Sequence, residues 1–238
     1  MTETGTRPYG KFIVIDGMDG CGKGTQIDLL KEALIGQGVR SRYTREPGGE
    51  GVEIAEEIRK MLLRKDGPPK TPTCDFFLFW ASRAAHVEMM VRPWINQGRH
   101  VISDRYDSST FAFQIYGEGQ FQLESVFLEI RGRMGLDFRP DAYILLDLPA
   151  EVADERMKIR AKEEMQKETR FDAWPLEKHE SVRQGFRHFE KVVMKDDRKG
   201  KVYMIDANRS REEVHADILA AVLETVNFQP LPGKHFRK

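Results

Sequence analysis

The sequence predicts an α/β fold in which a parallel sheet of five strands is wrapped by helices. Short apolar segments alternate with segments of helical periodicity along the chain, a pattern typical of parallel sheets. Residues 141–148 are nearly all apolar, as expected of a strand that is buried on both faces. A glycine-rich turn at 17–25 joins an apolar strand to a helix. The length of 238 residues fits a single domain, 1–238, with one mobile insert.

Composition limits the partners that we expect. The 38 basic and 38 acidic residues balance, so no positive field surrounds the molecule and nucleic acid is not an expected partner. Cys21 and Cys74 are the only cysteines, too few for a disulfide framework or a zinc site, which favours the reducing cytoplasm. No apolar run reaches membrane-spanning length, and residues 1–8 lack the apolar core of a signal peptide. We therefore expect no membrane partner.

The elements of the first half follow from apolar spacing and from chain breakers. Ile27, Leu30 and Leu34 recur at helical spacing, and Gly36 ends that helix. Proline and paired glycines force a turn at 45–49. The predicted elements are a strand at 11–16, a helix at 25–36, a strand at 39–44, a helix at 52–63 and an exposed loop at 64–72.

The longest predicted helix runs from about Cys74 to Gln97, with Thr73 as its N-cap and Gly98 as its stop. One side is rich in aromatic residues, and the opposite side, which carries Phe77, is apolar as well. A helix that is apolar on two sides is buried on two sides. We expect the sheet to cover one side and a second subunit, in a homodimer, to cover the other.

The second half of the chain alternates in the same way. Ser210 with Glu213 three residues later predicts a capped last helix. The highly charged segment at about 150–172 has the composition of a solvated, LID-like flap, and the tail at 228–238 is expected to be flexible. The other predicted elements are a strand at 100–103, a helix at 123–134, a strand at 141–148, a helix at 175–195, a strand at 201–206 and a helix at 210–226.

The turn at 17–25 has the composition of a nucleotide phosphate cradle. Gly17, Gly20 and Gly22 let the backbone curl so that successive N–H groups point inward at phosphate oxygens. Lys23 adds a positive charge over the outer phosphates. The helix that follows points its partly positive N-terminus at the same anion.

Charged residues follow three predicted strands, at the sheet edge where ligands of parallel sheets bind. Arg105 can bridge an acceptor phosphate and a transferred phosphate with its planar fork, and Asp19 or Asp104 can hold magnesium. A structural ion pair at the strand ends is the alternative. Gly24 stands where the usual phosphate loop has a magnesium-binding hydroxyl, one residue before Thr25. The charged strand-end residues are Asp16, Asp19, Arg45, Glu46, Asp104 and Arg105.

Seven ordered motifs resemble the thymidylate kinase family over nearly the whole chain. The motifs are Gly17-Met-Asp-Gly-Cys-Gly-Lys23, Thr44-Arg-Glu-Pro-Gly-Gly49, Glu57-Ile-Arg59, Phe79-Trp-Ala-Ser-Arg-Ala-Ala-His86, residues 104–114, Arg170-Phe-Asp172 and Ile205-Asp-Ala207. The resemblance implies a three-layer P-loop NTPase fold of the nucleoside monophosphate kinase type with a LID insert. It also implies transfer of the γ-phosphate of ATP to dTMP, with Mg²⁺ as cofactor and ATP as donor.

The same resemblance implies a role for individual residues. Phe79 would stack on thymine, Arg83 and Gln114 would meet its polar edge, and Arg59 and Arg105 would hold the acceptor phosphate. The phosphate loop lacks an arginine that some family members carry, so the flap would supply that charge. The full substrate set is Glu46, Arg59, Phe79, Arg83, Arg105, Thr110, Phe113 and Gln114. The ATP set is Gly17, Met18, Asp19, Gly20, Cys21, Gly22, Lys23, Gly24, Thr25, Asn208 and Arg209. The catalytic set is Lys23, Asp19, Arg105, Arg170 and Arg160, and the metal set is Asp19 and Asp104.

Two other functions stay open at this point. One is a different nucleoside monophosphate kinase of the same architecture, and the other is a switch that senses ATP without transferring phosphate. A switch would need neither the pocket of Phe79 and Arg83 nor a charged flap. His86, in contrast, is interpreted as a structural residue of the long helix.

Overall fold

A computed structural model describes residues 9–64, 66–134, 139–164, 171, 174–194 and 200–227. Five strands form one parallel sheet in the order β2-β3-β1-β4-β5, which confirms the predicted fold class. The strands are β1 (Phe12–Gly17), β2 (Ser41–Arg45), β3 (His100–Asp104), β4 (Ala142–Asp147) and β5 (Lys201–Asp206). Part of the predicted flap, including Arg170, and the predicted tail lie outside the described residues.

Helices connect the strands. They are α1 (Lys23–Gly36), α2 (Glu53–Leu63), α3 (Pro72–His86), α4 (Arg92–Asn96), α5 (Asp107–Thr110), α6 (Leu123–Arg133), α7 (Ala150–Glu164), α8 (Leu176–Met194) and α9 (Arg211–Thr225). Two π-helical segments, Val87–Val91 and Phe111–Gly117, continue α3 and α5. None of the helices in the described ranges is long and apolar enough to cross a membrane.

The register of the sheet brings the carboxyl ends of the strands together. β1 is buried at all six positions because it lies at the centre of the sheet, between β3 and β4. Ile15 of β1 pairs with Asp104 of β3, and Arg45 of β2 pairs with the same aspartate. The charged residues that follow these three strands therefore share one edge of the sheet.

The long helix differs from the prediction at its start and in its middle. It begins at Pro72, and the side chain of Thr71 accepts the cap bond from the N–H of Cys74, so the predicted cap at Thr73 is wrong. Proline at the first helical position needs no hydrogen-bond partner for its nitrogen, which explains the earlier start. The predicted continuous helix also widens into the π-helical segment Val87–Val91 just before Pro93, where a proline interrupts α-helical bonding.

A helix that the sequence analysis left unassigned follows β3. α5 and the segment Phe111–Gly117 pack closely against α8, because a Cβ atom at Gly185 would lie 2.7 Å from the Cα of Ala112. This close approach positions the side chains of Phe113 and Gln114 at the carboxyl edge of the sheet. At the other end of the chain, Ser210 and Glu213 form the predicted capping box of α9.

Candidate active site

The phosphate loop between β1 and α1 has a backbone that only glycine adopts readily. Gly20 and Gly22 have φ values of 80° and 90°, in the left-handed region that disfavours side chains. At Gly20 a Cβ atom would also lie 2.4 Å from the carbonyl oxygen of Ala153. Gly22 is the N-cap of α1 and supplies no side-chain hydrogen bond. The first N–H groups of α1 therefore remain available to an anion.

Lys23 curls back over this loop. Its Nζ donates to the carbonyl oxygens of Gly17 at 3.0 Å and Met18 at 2.9 Å, and it lies 3.7 Å from the Sγ of Cys21. Burial raises the pKa of the Cys21 thiol, although the nearby charge of Lys23 opposes the shift. Cys21 therefore stays a thiol and acts as part of the wall that holds the lysine.

A cavity of about 390 Å³ lies in front of the loop. Asp28 belongs to its wall but not to the sites predicted from the sequence. Spacing could have indicated it, because Asp28 follows Gly24 by four residues and so lies on the same face of α1. Arg160 of α7 reaches this cavity from the flap side. The walls comprise Asp19, Gly20, Gly22, Lys23, Gly24, Thr25, Asp28, Asp104, Arg105 and Arg160.

Asp16 links the phosphate loop to the end of β3. Its buried carboxylate accepts hydrogen bonds from the N–H of Gly17 at 2.8 Å and from the hydroxyls of Ser108 and Ser109 at 2.6 and 2.8 Å. Arg105 Nη1 lies 3.3 Å from the same carboxylate and donates to the Gly17 carbonyl at 2.9 Å. The sequence placed Asp16 at the strand end but did not predict this supporting role.

Arg105 also binds the aspartate of the loop. Its Nη2 donates to Oδ1 of Asp19. Burial raises the pKa of Asp19, but the charges of Arg105 and Lys23 outweigh it, so the pKa lies below the ordinary value. For Asp104 burial prevails and the pKa is raised, and its buried Oδ1 has no hydrogen-bond partner among the described residues. The two predicted metal ligands thus differ, one being paired and the other unpaired.

A second cavity, of about 160 Å³, adjoins the first. Asp19, Asp104 and Arg105 line both cavities. The remaining wall of the second cavity combines aromatic side chains with cations and consists of Arg45, Glu46, Pro47, Arg59, Leu63, Phe79, Arg83, Tyr106, Ser109, Phe113, Gln114 and Phe171. This composition suits a ligand with a flat ring at one end and a negative charge at the other.

Arg83 is buried, at 1% exposure, in the wall of the second cavity, and we call the part of the cavity beside it the closed end. Its Nε donates to Oε2 of Glu46 at 2.9 Å, and its Nη2 donates at 3.0 Å to the carbonyl of Tyr106 and to the hydroxyl of Thr110. Burial lowers the pKa of Arg83, but the charges of Glu46 and Asp107 and the hydrogen bond to Glu46 together outweigh it, so the net shift is upward. Two buried nitrogen atoms of this cavity wall, Nη1 of Arg83 and Nε2 of Gln114, have no hydrogen-bond partner among the described residues. Thr110 itself does not line the cavity and acts through Arg83.

Three further arginines line the second cavity. Arg45 forms an ion pair with Glu56 at 3.4 Å. Arg59 donates a hydrogen bond of 2.6 Å to the carbonyl oxygen of Pro47. The peptide bond before Pro47 is cis. Burial lowers the pKa of Arg59, and the charge of Arg45 lowers it further. A cation whose pKa is depressed by burial and by a neighbouring cation is poised to bind an anion. With Arg105 they form a cluster suited to a phosphate group.

Some predicted residues lie away from these cavities. Asn208 and Arg209 follow β5, and neither lines either of these two cavities. The guanidinium of Arg209 binds the carboxylate of Asp217 and the carbonyl of Asp206. Within the described part of the chain no group of three or more His, Cys, Asp or Glu side chains could hold a metal ion.

The fold and the paired cavities define a nucleotide-binding protein of the P-loop phosphotransferase class. A phosphate loop at the edge of a parallel sheet adjoins a second pocket that is lined by both aromatic and cationic side chains. The sequence model of the family described as thymidylate kinase matches residues 15–218. The chain belongs to the thymidylate kinase family.

Individual relatives agree with the family match. The chain is 35% identical over 218 residues to a protein named thymidylate kinase from Maridesulfovibrio salexigens, a match that covers 90% of this chain and 96% of the relative. It is 34% identical over 221 residues to a thymidylate kinase from Geotalea daltonii, covering 92% and 99%. A thymidylate kinase from Bdellovibrio bacteriovorus is 37% identical over 176 residues, covering 74% and 80%.

Proposed function

We propose that this chain transfers the γ-phosphate of ATP to the phosphate of dTMP, giving ADP and dTDP. The observation that carries the proposal is the junction of the two cavities at Asp19, Asp104 and Arg105. A donor phosphate on the loop and an acceptor phosphate among the arginines would meet at this junction. Phosphoryl transfer depends mainly on such positioning and on compensation of negative charge.

The cations near the junction support the reaction. An oxygen of the acceptor phosphate forms a bond to the γ-phosphorus, while the bond from that phosphorus to the bridging oxygen breaks and ADP leaves with the electron pair. Lys23 exchanges the carbonyls of Gly17 and Met18 for phosphate oxygens. Arg105 lies between donor and acceptor, and Arg160 adds charge from the flap side. Arg170 remains a second flap candidate from the sequence.

The closed end of the second cavity, which we call the acceptor cavity, supports a pyrimidine with a carbonyl at position 4. Nη1 of Arg83 and Nε2 of Gln114 are buried donors without partners among the described residues, and a buried donor gains most from an acceptor. The O4 atom of thymine is such an acceptor. The Gln114 amide can also present its oxygen to the N3–H group after a flip. Phe79 and Phe113 supply flat apolar surfaces for the base and the sugar.

A magnesium ion fits this site as a complex with ATP. Asp104 presents a buried carboxylate oxygen without a hydrogen-bond partner among the described residues, and Mg²⁺ is commonly held by one or two carboxylates together with substrate phosphates and water. Asp104 would therefore hold the ion or its waters, with Asp19 beside it. When bound, the ion neutralises charge on the phosphates. Gly24 contributes no hydroxyl, and Thr25 lines the same cavity.

The loop after β5 is the proposed adenine side of the site. Asn208 and Arg209 lie at the same carboxyl edge of the sheet as the phosphate loop, because all five strands are parallel. The N–H of Asn208 donates to Oδ1 of Asp206, which fixes the turn. The base of ATP would lie against this turn while its phosphates occupy the loop.

We further propose that two copies of the chain form a homodimer through α2 and α3. Phe77 is 50% exposed, and Ile54 and Met61 of α2 are exposed as well. Such apolar side chains on adjoining helices are typical of an interface. α9 packs mainly against α1, β4 and β5, which leaves this face open to a second subunit. The free thiols of Cys21 and Cys74 support a reducing, cytoplasmic location.

The experiment that tests the function is a comparison of nucleoside monophosphates. ADP formation from ATP and Mg²⁺ is measured with dTMP, dUMP, dCMP and AMP as acceptors. We expect dTMP to have a much higher kcat/KM than dCMP and AMP. Equal turnover of dCMP or AMP would instead indicate another nucleoside monophosphate kinase, and hydrolysis or binding without transfer would indicate a switch.

A further inference from the structure

A chain of polar side chains, of which Thr44 is half-buried and the others are buried, runs from β2 to the closed end of the acceptor cavity. Thr44 Oγ1 lies 2.7 Å from Nε2 of His86, and Nδ1 of His86 lies 3.0 Å from Oε1 of Glu46. Oε2 of Glu46 in turn accepts from Nε of Arg83 at 2.9 Å. His86, Glu46 and Arg83 are each at most 5% exposed. Water is therefore not available to replace a lost bond among these three side chains.

The hydrogen-bond requirements of Glu46 fix the tautomer of His86. A carboxylate only accepts hydrogen bonds, so Nδ1 of the imidazole carries a proton and donates to Oε1. Nε2 can then accept the proton of the Thr44 hydroxyl. His86 is the hydrogen-bond donor to Oε1 of Glu46 among the described residues, just as Arg83 is the donor to Oε2. One carboxylate is thus oriented by two side chains, one on each oxygen.

The orientation of Glu46 determines where Arg83 points. The guanidinium group is planar, so the hydrogen bonds from Nε to Glu46 and from Nη2 to Thr110 fix its orientation. The direction in which the third nitrogen, Nη1, points is thereby fixed as well. The rings of Trp80 and Tyr106 lie 4.6 and 5.0 Å from its central carbon and restrict rotation out of the plane. Nη1 is the atom that has no partner among the described residues, and Arg83 belongs to the wall of the acceptor cavity.

The surroundings of His86 hold the ring in place. A Cβ atom at Gly49 would lie 2.5 Å from Cδ2 of His86, so the loop after β2 closes directly on the imidazole. His179 of α8 provides a contrast. It is also buried, at 2% exposure, but its Nε2 has no partner among the described residues and it lines neither cavity.

We propose that His86 is a positioning residue for recognition of the acceptor base. It acts through Glu46, which it orients so that Nη1 of Arg83 faces the position of O4 of a pyrimidine. This inference rests on the proposed function, since it assumes that the second cavity binds the monophosphate. It replaces the interpretation of His86 as a structural residue of the long helix.

Asparagine and glutamine at position 86 provide a matched test. Asparagine places an amide nitrogen at the same number of bonds from Cα as Nδ1 of histidine, so His86→Asn can keep the bond to Glu46. Glutamine places its nitrogen one bond further, at the position of Nε2, so His86→Gln loses that bond. Both variants are polar and similar in size. His179→Gln is the control for a buried histidine away from the cavities.

The measured quantities are KM for dTMP, KM for ATP, the preference for dTMP over dCMP, and Tm. We expect His86→Gln to raise KM for dTMP and to lower the preference by about tenfold, the effect of losing one hydrogen bond to a charged group. KM for ATP should not change. His86→Asn should recover most of the loss, and His179→Gln should change Tm alone. Equal kinetic constants for the Asn and Gln variants would overturn the proposal.

A second variant decides the question if His86→Gln does not fold. Thr44→Val conserves shape but removes the hydroxyl that holds Nε2, and it should raise KM for dTMP without changing KM for ATP. An unchanged KM for dTMP would contradict the positioning role. The wild-type protein is assayed first on all four monophosphates. If it prefers another monophosphate, the proposed function fails, and the Asn and Gln variants are then compared on that substrate.

Discussion

Arg105 donates a hydrogen bond to the carboxylate of Asp19, and both side chains line both cavities. Arg105 adopts a φ of 70°, which is uncommon for a residue with a side chain. It is fixed there by its backbone bond to Ile15 and by its side-chain contact with Asp16. A strained, well-supported arginine at the junction of two cavities is typical of a functional site.

Lys23 should be essential for turnover. Lys23→Ala removes the charge that compensates the transferred phosphoryl group in a water-poor site, and we expect kcat to fall by roughly 10² or more. Lys31→Ala changes an exposed lysine on the same helix and should leave kcat unchanged. Near-normal turnover of the Lys23 variant, with both proteins folded by circular dichroism, would exclude a catalytic role.

The charged side chain of Asp104 should lower the free energy of unfolding of the ligand-free protein at neutral pH. Burial raises the pKa of Asp104, although Lys23 and Arg105 oppose the shift. A carboxyl group whose pKa is raised by folding contributes most to stability when protonated, and this contribution is lost as pH rises through the raised pKa. Asp104→Asn should therefore raise Tm near pH 7 while lowering kcat.

The gain in Tm of Asp104→Asn should shrink as the pH is lowered, because the wild-type carboxyl group then becomes protonated as well. Asp28→Asn replaces an exposed carboxylate of the same cavity and should show no comparable gain. Thermal melts of the three proteins across the acidic range would measure both effects. A constant difference between wild type and Asp104→Asn at all pH values would contradict the linkage.

The exposed face of α3 should join two subunits. Sedimentation of the wild-type protein should give a mass of about twice 27.5 kDa. Phe77→Glu places a charge in the proposed interface and should produce monomers, whereas Phe121→Glu, at a residue that is 58% exposed outside α3, should not. A wild-type monomer at micromolar concentration would show that this face is not an interface between copies of the chain.

A hydroxyl at position 24 should strengthen the binding of Mg²⁺ with ATP. A Cβ atom added at Gly24 meets nothing within 4 Å, and serine or threonine at this position of a phosphate loop commonly binds the ion. Gly24→Ser should therefore lower the Mg²⁺ concentration needed for half-maximal ATP binding severalfold, measured by calorimetry. Gly36→Ser, at an equally open glycine of α1, is the control. An increase in the Mg²⁺ requirement would indicate that the space is needed for another purpose.

The strand order and the carboxyl-edge site follow from signals that the sequence carries locally. Buried parallel strands such as β4 are continuously apolar. The glycine pattern of the phosphate loop has few other structural interpretations. The Thr71 cap was missed because two nearby threonines satisfy the same cap preference, and only the position of Pro72 distinguishes them. The π-helical segments have no simple periodic signature, so the helix after β3 was missed as well.

The supporting residues of the site were harder to predict than the residues that line it. Asp16 and His86 bind side chains that are distant in sequence, and nothing in their local pattern indicates those partners. His86 on an apolar helix is indistinguishable from a core histidine until Glu46 is placed beside it. Asp28 was predictable from its spacing to Gly24. Long-range polar pairs of this kind become visible only when the strands are in register.

The last prediction concerns the base and distinguishes this chain from other nucleoside monophosphate kinases. Nη1 of Arg83 can only donate a hydrogen bond, so it satisfies O4 of thymine but opposes the amino group that cytosine carries at the same position. A buried donor left unpaired costs about 1–3 kcal/mol, or about 5- to 200-fold in kcat/KM. Phe79 does not compensate, because stacking on an aromatic ring is nearly independent of base identity. We therefore expect kcat/KM for dTMP to be well above kcat/KM for dCMP.

The variants must separate recognition from stability. Arg83→Ala alone leaves the buried carboxylate of Glu46 without its cation, which is expected to cost about 3–5 kcal/mol of stability. The double variant Arg83→Ala/Glu46→Gln removes that charge and isolates the loss of Nη1. It should narrow the gap between dTMP and dCMP by lowering kcat/KM for dTMP, whereas Phe79→Ala should lower both values alike. An unchanged preference in a folded double variant would mean that Gln114, the other buried donor of this cavity, reads the base in place of Arg83.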